Sequence, residues 1–154
     1  MKGIDLSGLA QLAGVPLLQA RNWTSGRPLS IRPSVQVATG TGTRNLYSDS
    51  DVLKLAIANK LRNGSVGFRA IRYVIETVEP EQFVYGYADW LIVLVRRDDS
   101  SHRAVRNVDL ENELISAQLS DTETVYFFVH LSKLLGEVQT RIDNFVKDRN
   151  DGLS

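Results

Sequence analysis

The order of patterns along these 154 residues predicts an α+β protein, helical at first, with short strands and a closing helix in its second half. Three observations lead there. Apolar residues recur at helical spacing through the first half and again near the end, two continuously apolar runs near residues 90 and 125 read as buried strands, and charge is divided between the halves. With 43% hydrophobic residues, 23% charged residues and no cysteine, the composition fits one globular domain or two very small ones. It excludes collagen-like, mucin-like and disulfide-stapled chains.

Leu6, Leu9, Leu12 and Ala13 define a first helix that Gly14 stops, and Pro16 suits the first turn of the next, where a missing N–H costs nothing. Two short helices around a tight glycine turn make a helix-turn-helix, with Ala10 small enough for a close crossing and Val15, Ala20 and Trp23 closing the core. From Ile31 to Tyr47, Val35 and Val37 alternate with polar neighbours around Thr39-Gly40-Thr41-Gly42-Thr43, the pattern of a β-hairpin with a flexible tip, or wing. Ser48 then offers an N-cap with Asp51 three residues on, followed by Val52, Leu53, Ala56, Ile57 and Leu61 on one stripe and Gly64 as the stop. Phe68, Ile71, Ile75 and Val78 mark a fourth helix, and Glu79-Pro80 is the expected boundary between units 1–78 and 79–154.

Beyond it, Trp90-Leu91-Ile92-Val93-Leu94-Val95 reads as a buried strand closed by a polar turn, with residues 103–108 as its hairpin partner. Residues 110–119 fit a helix or a strand, with helix preferred, and Val125-Tyr126-Phe127-Phe128-Val129 is a further strand, whose two phenylalanines read as packing residues. The last element, an amphipathic helix over 131–147, carries Leu131, Leu135, Val138, Ile142 and Phe145 at steps of 4, 3, 4 and 3, widened by Leu134 and Val146. That spacing suits a two-helix dimer seam and equally a helix packed inside a monomer.

Residues 1–75 hold ten Lys/Arg against three Asp, a balance of +7, while the remainder holds eight bases and fifteen acids, a balance of −7. The first half is thus suited to a polyanion. No apolar run approaches the roughly 18 residues that span a bilayer, and the start lacks a secretory pattern, so a cytoplasmic chain without a membrane partner is expected. Without cysteine, and with only His102 and His130, thiolate metal sites and Cys/His catalysis are absent. His130 stands alone at the start of the last helix, and the acids Asp98, Asp99, Asp109, Glu111 and Glu113 form no calcium loop and read as a solvated face. No catalytic residue, metal site or cofactor is expected, and the chain does not read as an enzyme.

Helix-turn-helix, wing and helix pair, taken in this order, give the first 78 residues the plan of a winged helix-turn-helix. They resemble the DNA-binding domain of the MerR-type regulators. The residues carrying the resemblance are Ala10-x3-Gly14-Val15, Arg21-Asn22-Trp23, a Gly-rich tip leading into Arg44-Asn45-Leu46-Tyr47-Ser48 with Asp51, Leu55 and Ile57, and Leu61-Arg62-Asn63-Gly64 before Ile71. The second helix, entering a major groove, would bring Gln19, Arg21 and Asn22 to base edges or phosphates, while Arg44, Asn45 and Tyr47, with Thr41 and Thr43 at the tip, grip the neighbouring backbone. Leu17 and Leu18 stand where the family presents polar side chains, which favours contact with thymine methyl groups. The resemblance implies a homodimeric, sequence-specific transcription regulator on an inverted-repeat operator in double-stranded DNA, with RNA polymerase at the promoter as a further partner. Leu131, Leu134, Leu135, Val138, Ile142 and Phe145 are then the dimerisation residues. The alternative is a DNA-architectural, excisionase-like factor, and residues 82–130 are left to an effector pocket, a dimer-supporting sheet or a protein-binding module.

Overall fold

A computed structural model describes residues 3–97, 99–119 and 123–152; Lys2 of the charge balance and Asp98 of the acidic set lie outside the described residues. The protein is α+β, with seven α-helices and one three-stranded antiparallel sheet among these residues. In chain order they are α1 (Leu6–Ala13), α2 (Leu17–Thr24), α3 (Asp49–Asn63), α4 (Phe68–Thr77), α5 (Glu81–Val84), β1 (Trp90–Val95), β2 (Ser100–Val105), α6 (Leu110–Gln118), β3 (Val125–His130) and α7 (Ser132–Asp151).

Local chemistry sets the first helices. Asp5 accepts the Gly8 N–H at 2.9 Å to open α1, and Gly14, at φ 72°, closes it in the left-handed conformation that a side chain disfavours. Ser48 and Asp51 form a reciprocal capping box at the start of α3. That helix is buried on nearly every side, with Val52, Leu53, Leu55, Ala56, Ile57, Ala58 and Leu61 shielded by α1, α4 and α7.

The sheet runs β2-β1-β3 and presents alternate residues to the core. Leu91, Val93 and Val95 of β1 point inward with Ala104 of β2 and Phe127 and Val129 of β3, while Phe128 is on the other face, stacked with Tyr126. The hairpin partner spans Ser100–Val105 rather than 103–108, because Arg96 N–H bonds the Asp99 carbonyl and turns the chain at once. Asn107 is meanwhile held by the Asp89 carboxylate and the Trp90 indole. Residues 110–118 are helical, and His130 ends β3, its ring 4.9 Å from that of Trp90, instead of opening the last helix.

Apolar packing runs across residue 78 without a break. α7 lies against α3, α5 and α1, and one cluster of buried residues joins Ile4 and Leu9 to Leu91, Leu135 and Ile142. Glu79-Pro80 therefore marks the break between α4 and α5 inside one core. Leu131, Leu135, Val138 and Ile142 are 0% exposed within the single chain, and Leu134 and Phe145 pack partly buried against the same cluster. The stripe read as a dimer seam is occupied by the chain's own helices.

The wing expected over residues 31–47 is not a regular hairpin. Its backbone is held by one bridge, Gln36 to Leu46, and a second bridge ties Tyr47 to Ile4. Val35 and Val37 are exposed, so no buried face supports a longer ladder, and Thr43 Oγ1 closes the tip by accepting the N–H groups of Thr39 and Gly40.

β2 meets α4 through His102. The Thr77 hydroxyl donates to the Tyr73 carbonyl at 2.8 Å and so accepts from His102 Nε2 at 2.7 Å, which leaves Nδ1 without a proton, buried and unpartnered. Burial pushes the imidazole pKa below its ordinary 6.5. The unfolded chain then takes up this proton more readily than the folded one, so the native state loses stability as pH falls below 6.5. Urea midpoints are expected to drop between pH 7.5 and pH 5 by less in His102→Gln than in the wild type; equal drops would exclude this origin.

Truncation in α7 probes the shared core. Ile142→Ala is expected to cost about 2–5 kcal/mol and to lower one cooperative transition seen alike by circular dichroism and by Trp23 fluorescence in a Trp90→Phe background. A separate early transition confined to the second half would contradict the single core.

Candidate nucleic-acid interface

α2 buries only Ala20 and Trp23, and its outward face carries Leu17 at 45% and Leu18 at 66% exposure, with Arg21 beside them. Trp23 is a core residue, edge-on to Phe68 with ring centroids 6.0 Å apart, and Phe68 in turn lies under the Arg62 guanidinium. One long-range bond holds α2 and another holds the segment that follows it. Gln19 Nε2 donates to Asn59 Oδ1 on α3 at 3.0 Å, and Arg72 of α4 donates to the Pro28 carbonyl at 2.8 Å. Gln19 is therefore half-buried and engaged, whereas Asn22 is half-buried without a side-chain partner among the described residues.

The structure divides the wing residues. Thr41, Thr43, Arg44 and Asn45 are exposed, but the Thr43 hydroxyl also donates to the Gly40 carbonyl at 2.8 Å, and Asn45 Oδ1 accepts the Ala38 N–H at 2.8 Å. Those two side chains shape the loop, leaving Thr41 and Arg44 as its outward groups. Tyr47 is 1% exposed and belongs to the core, where its backbone pairs with Ile4. It cannot reach a ligand, a correction that follows from the pairing with residue 4: the bridge turns its ring inward.

Arg21, Arg27, Arg32 and Arg44 are exposed and make no ion pair with another described residue, so these four positive charges face solvent. In the second half Arg103 pairs with Glu113 and Arg106 with Asp109. No group of three or more His, Asp or Glu side chains among the described residues is arranged to hold a metal ion. No helix among them is long and apolar enough to cross a membrane.

Asp51 is the residue whose role the sequence understated. Beyond capping α3, its Oδ2 accepts the Ser34 hydroxyl at 2.6 Å, the Ser34 N–H at 3.0 Å and the Ser48 N–H at 2.9 Å, at 4% exposure. It thereby anchors the base of the loop that carries Arg44. Only the Ser-x-x-Asp spacing hinted at it; the reach back to residue 34 has no local signal.

No protein-family model and no curated protein sequence matches the chain.

Asp51→Ala removes the acceptor of three bonds and is expected to cost about 2 kcal/mol or more, with Asp51→Asn costing less. Hydrogen exchange at Ser34 and Ser48 should accelerate in Asp51→Ala, and unchanged exchange there would show that the loop is anchored by other contacts.

Proposed function

We propose that this protein is a sequence-specific DNA-binding regulator of transcription, with α2 entering the major groove and the 35–46 loop lying against the neighbouring backbone. The observation that carries the reading is the outward face of α2. Leu17, Leu18 and Arg21 are held in solvent on a short helix whose other side is pinned to α3, and large apolar groups on so small a helix call for a surface to meet. A duplex groove admits such a helix, and leucine side chains suit thymine methyl groups there. The uncompensated arginines around it supply the phosphate contacts that give affinity and position without reading sequence. The sequence resemblance to MerR-type regulators supports the same reading. Pairing of two copies on an inverted repeat and contact with RNA polymerase belong to it as well, with a dimer seam other than the buried stripe of α7.

Phosphate positioning and base reading separate by mutation. Arg44→Ala is expected to weaken every duplex alike, whereas Leu18→Ala or Asn22→Ala should change the preference between duplexes by about 1–3 kcal/mol. If about six to ten phosphates are neutralised, affinity should fall by roughly 10³ to 10⁵ between 50 and 200 mM salt. Salt-insensitive binding, or no binding to any duplex, would overturn the proposal.

A further inference from the structure

Three segments far apart in sequence enclose a cleft of about 330 Å³ on the side of α1: the entry to α1, the exit of the 35–46 loop, and the last turns of α7. Its lining includes Ser7, Gln11, Arg44, Phe145 and Arg149. Gly3 and Gly8 of the lining are tightly packed: a Cβ at Gly3 would sit 2.5 Å from Leu46 Cβ, and one at Gly8 would meet Ile4 Cγ2 at 2.9 Å. α7 thus serves more than the core: its end delivers a cation to the half of the chain that already carries the positive balance.

We infer that this cleft binds a phosphate group between Arg44 and Arg149. The Arg149 guanidinium carbon lies 5.2 Å from the centroid of the Phe145 ring, and a single N–H reaches the Gly3 carbonyl at 3.5 Å. Its other donors are uncommitted, and the Arg44 guanidinium has no hydrogen-bond or ion-pair partner among the described residues. Asp5 is the carboxylate of the lining, and its Oδ1 is committed to the Gly8 N–H, so the lining keeps a net charge of +1. Guanidinium forks bind phosphate and carboxylate alike. Phosphate is the better match to this lining, since its three or four oxygens can accept from more of the donors of Arg44, Arg149, Ser7 and Gln11 than the two coplanar oxygens of a carboxylate can. The volume exceeds that of the anion alone and leaves room for the group esterified to it. Because Arg44 is on the loop and Arg149 on α7, a bound phosphate fixes the loop against the rest of the fold.

The phosphate comes from a DNA backbone or from a small phosphorylated molecule, and only the first source rests on the function proposed above. Both are tested on the full chain, with Arg149→Met, which keeps the stem over Phe145 and removes the donors, and Arg149→Lys, which keeps the charge. Melting temperatures establish that each variant is folded. In the first arm inorganic phosphate is titrated in a phosphate-free buffer and followed by NMR at the Ser7, Gly8 and Gln11 amides and the two guanidinium Nε–H signals. In the second, duplex affinity is measured against salt. Saturable shifts in the wild type that vanish in Arg149→Met identify a site for a free phosphorylated ligand. A salt slope shallower by about 1 in Arg149→Met and preserved in Arg149→Lys, with all duplexes weakened alike, identifies a backbone phosphate. Should the wild type bind no duplex, the function fails while the phosphate arm still decides the cleft. Absence of saturable shifts together with an unchanged slope, or with no duplex binding to measure, overturns the inference.

Discussion

Packing of the α7 stripe on α3 is the contact on which the rest of the molecule depends. Leu131, Leu135, Val138 and Ile142 fall on one face, and all four are fully withdrawn from water. Burying aliphatic side chains of this size is worth about 1.5–3 kcal/mol each, so the last helix contributes a large share of what holds the protein together. Its partner α3 is covered on its other sides by α1 and α4. The two halves are consequently joined by a helix from the end of the chain lying against one from the middle. The acidic groups along that joint are affected in turn: burial, and then the charge of Asp143 on α7, raise the pKa of Asp49 at the start of α3.

What could be read from the sequence was what neighbouring residues decide. The capping box of Ser48 and Asp51, the glycine stop after α1 and the apolar run of β1 each rest on a few adjacent side chains, and they stand where the spacing put them. Tyr47 illustrates the opposite case. It follows a Thr- and Gly-rich exposed stretch, and its burial comes from pairing with Ile4, more than forty residues away. A heptad-like stripe likewise states that a face will be buried without saying against what, and α7 found its cover within its own chain. Gln19 lost its expected freedom in the same way, to Asn59 forty residues on. Residues of the candidate site that kept the exposure expected of them, among them Leu17, Leu18, Arg21, Thr41 and Arg44, have no distant partner among the described residues to claim them.

This division of labour between buried and exposed groups gives the functional reading its physical content. The core uses nearly every large apolar side chain of the first half, which makes the two leucines left on α2 informative, since scattered exposed leucines are ordinary but a pair on an eight-residue helix beside free arginines is a surface. The sheet meets the helical half through His102 and Thr77 on one side, and α7 meets α1 and the loop through Phe145 and Arg149 on the other. The second half therefore touches the helical half at two polar places, the His102–Thr77 contact with α4 and the Arg149 end of α7 beside α1.

The central claim is that the outward face of α2 reads duplex sequence. It is tested most directly by sequencing the duplexes that the full chain retains from a randomised pool, beside the same selection with Leu17 and Leu18 both changed to serine. The account predicts that the wild type enriches a defined motif and that the double variant, still folded and still retaining DNA through its arginines, enriches a different motif or none. Retention without enrichment by the wild type, or the same motif from both proteins, would contradict it.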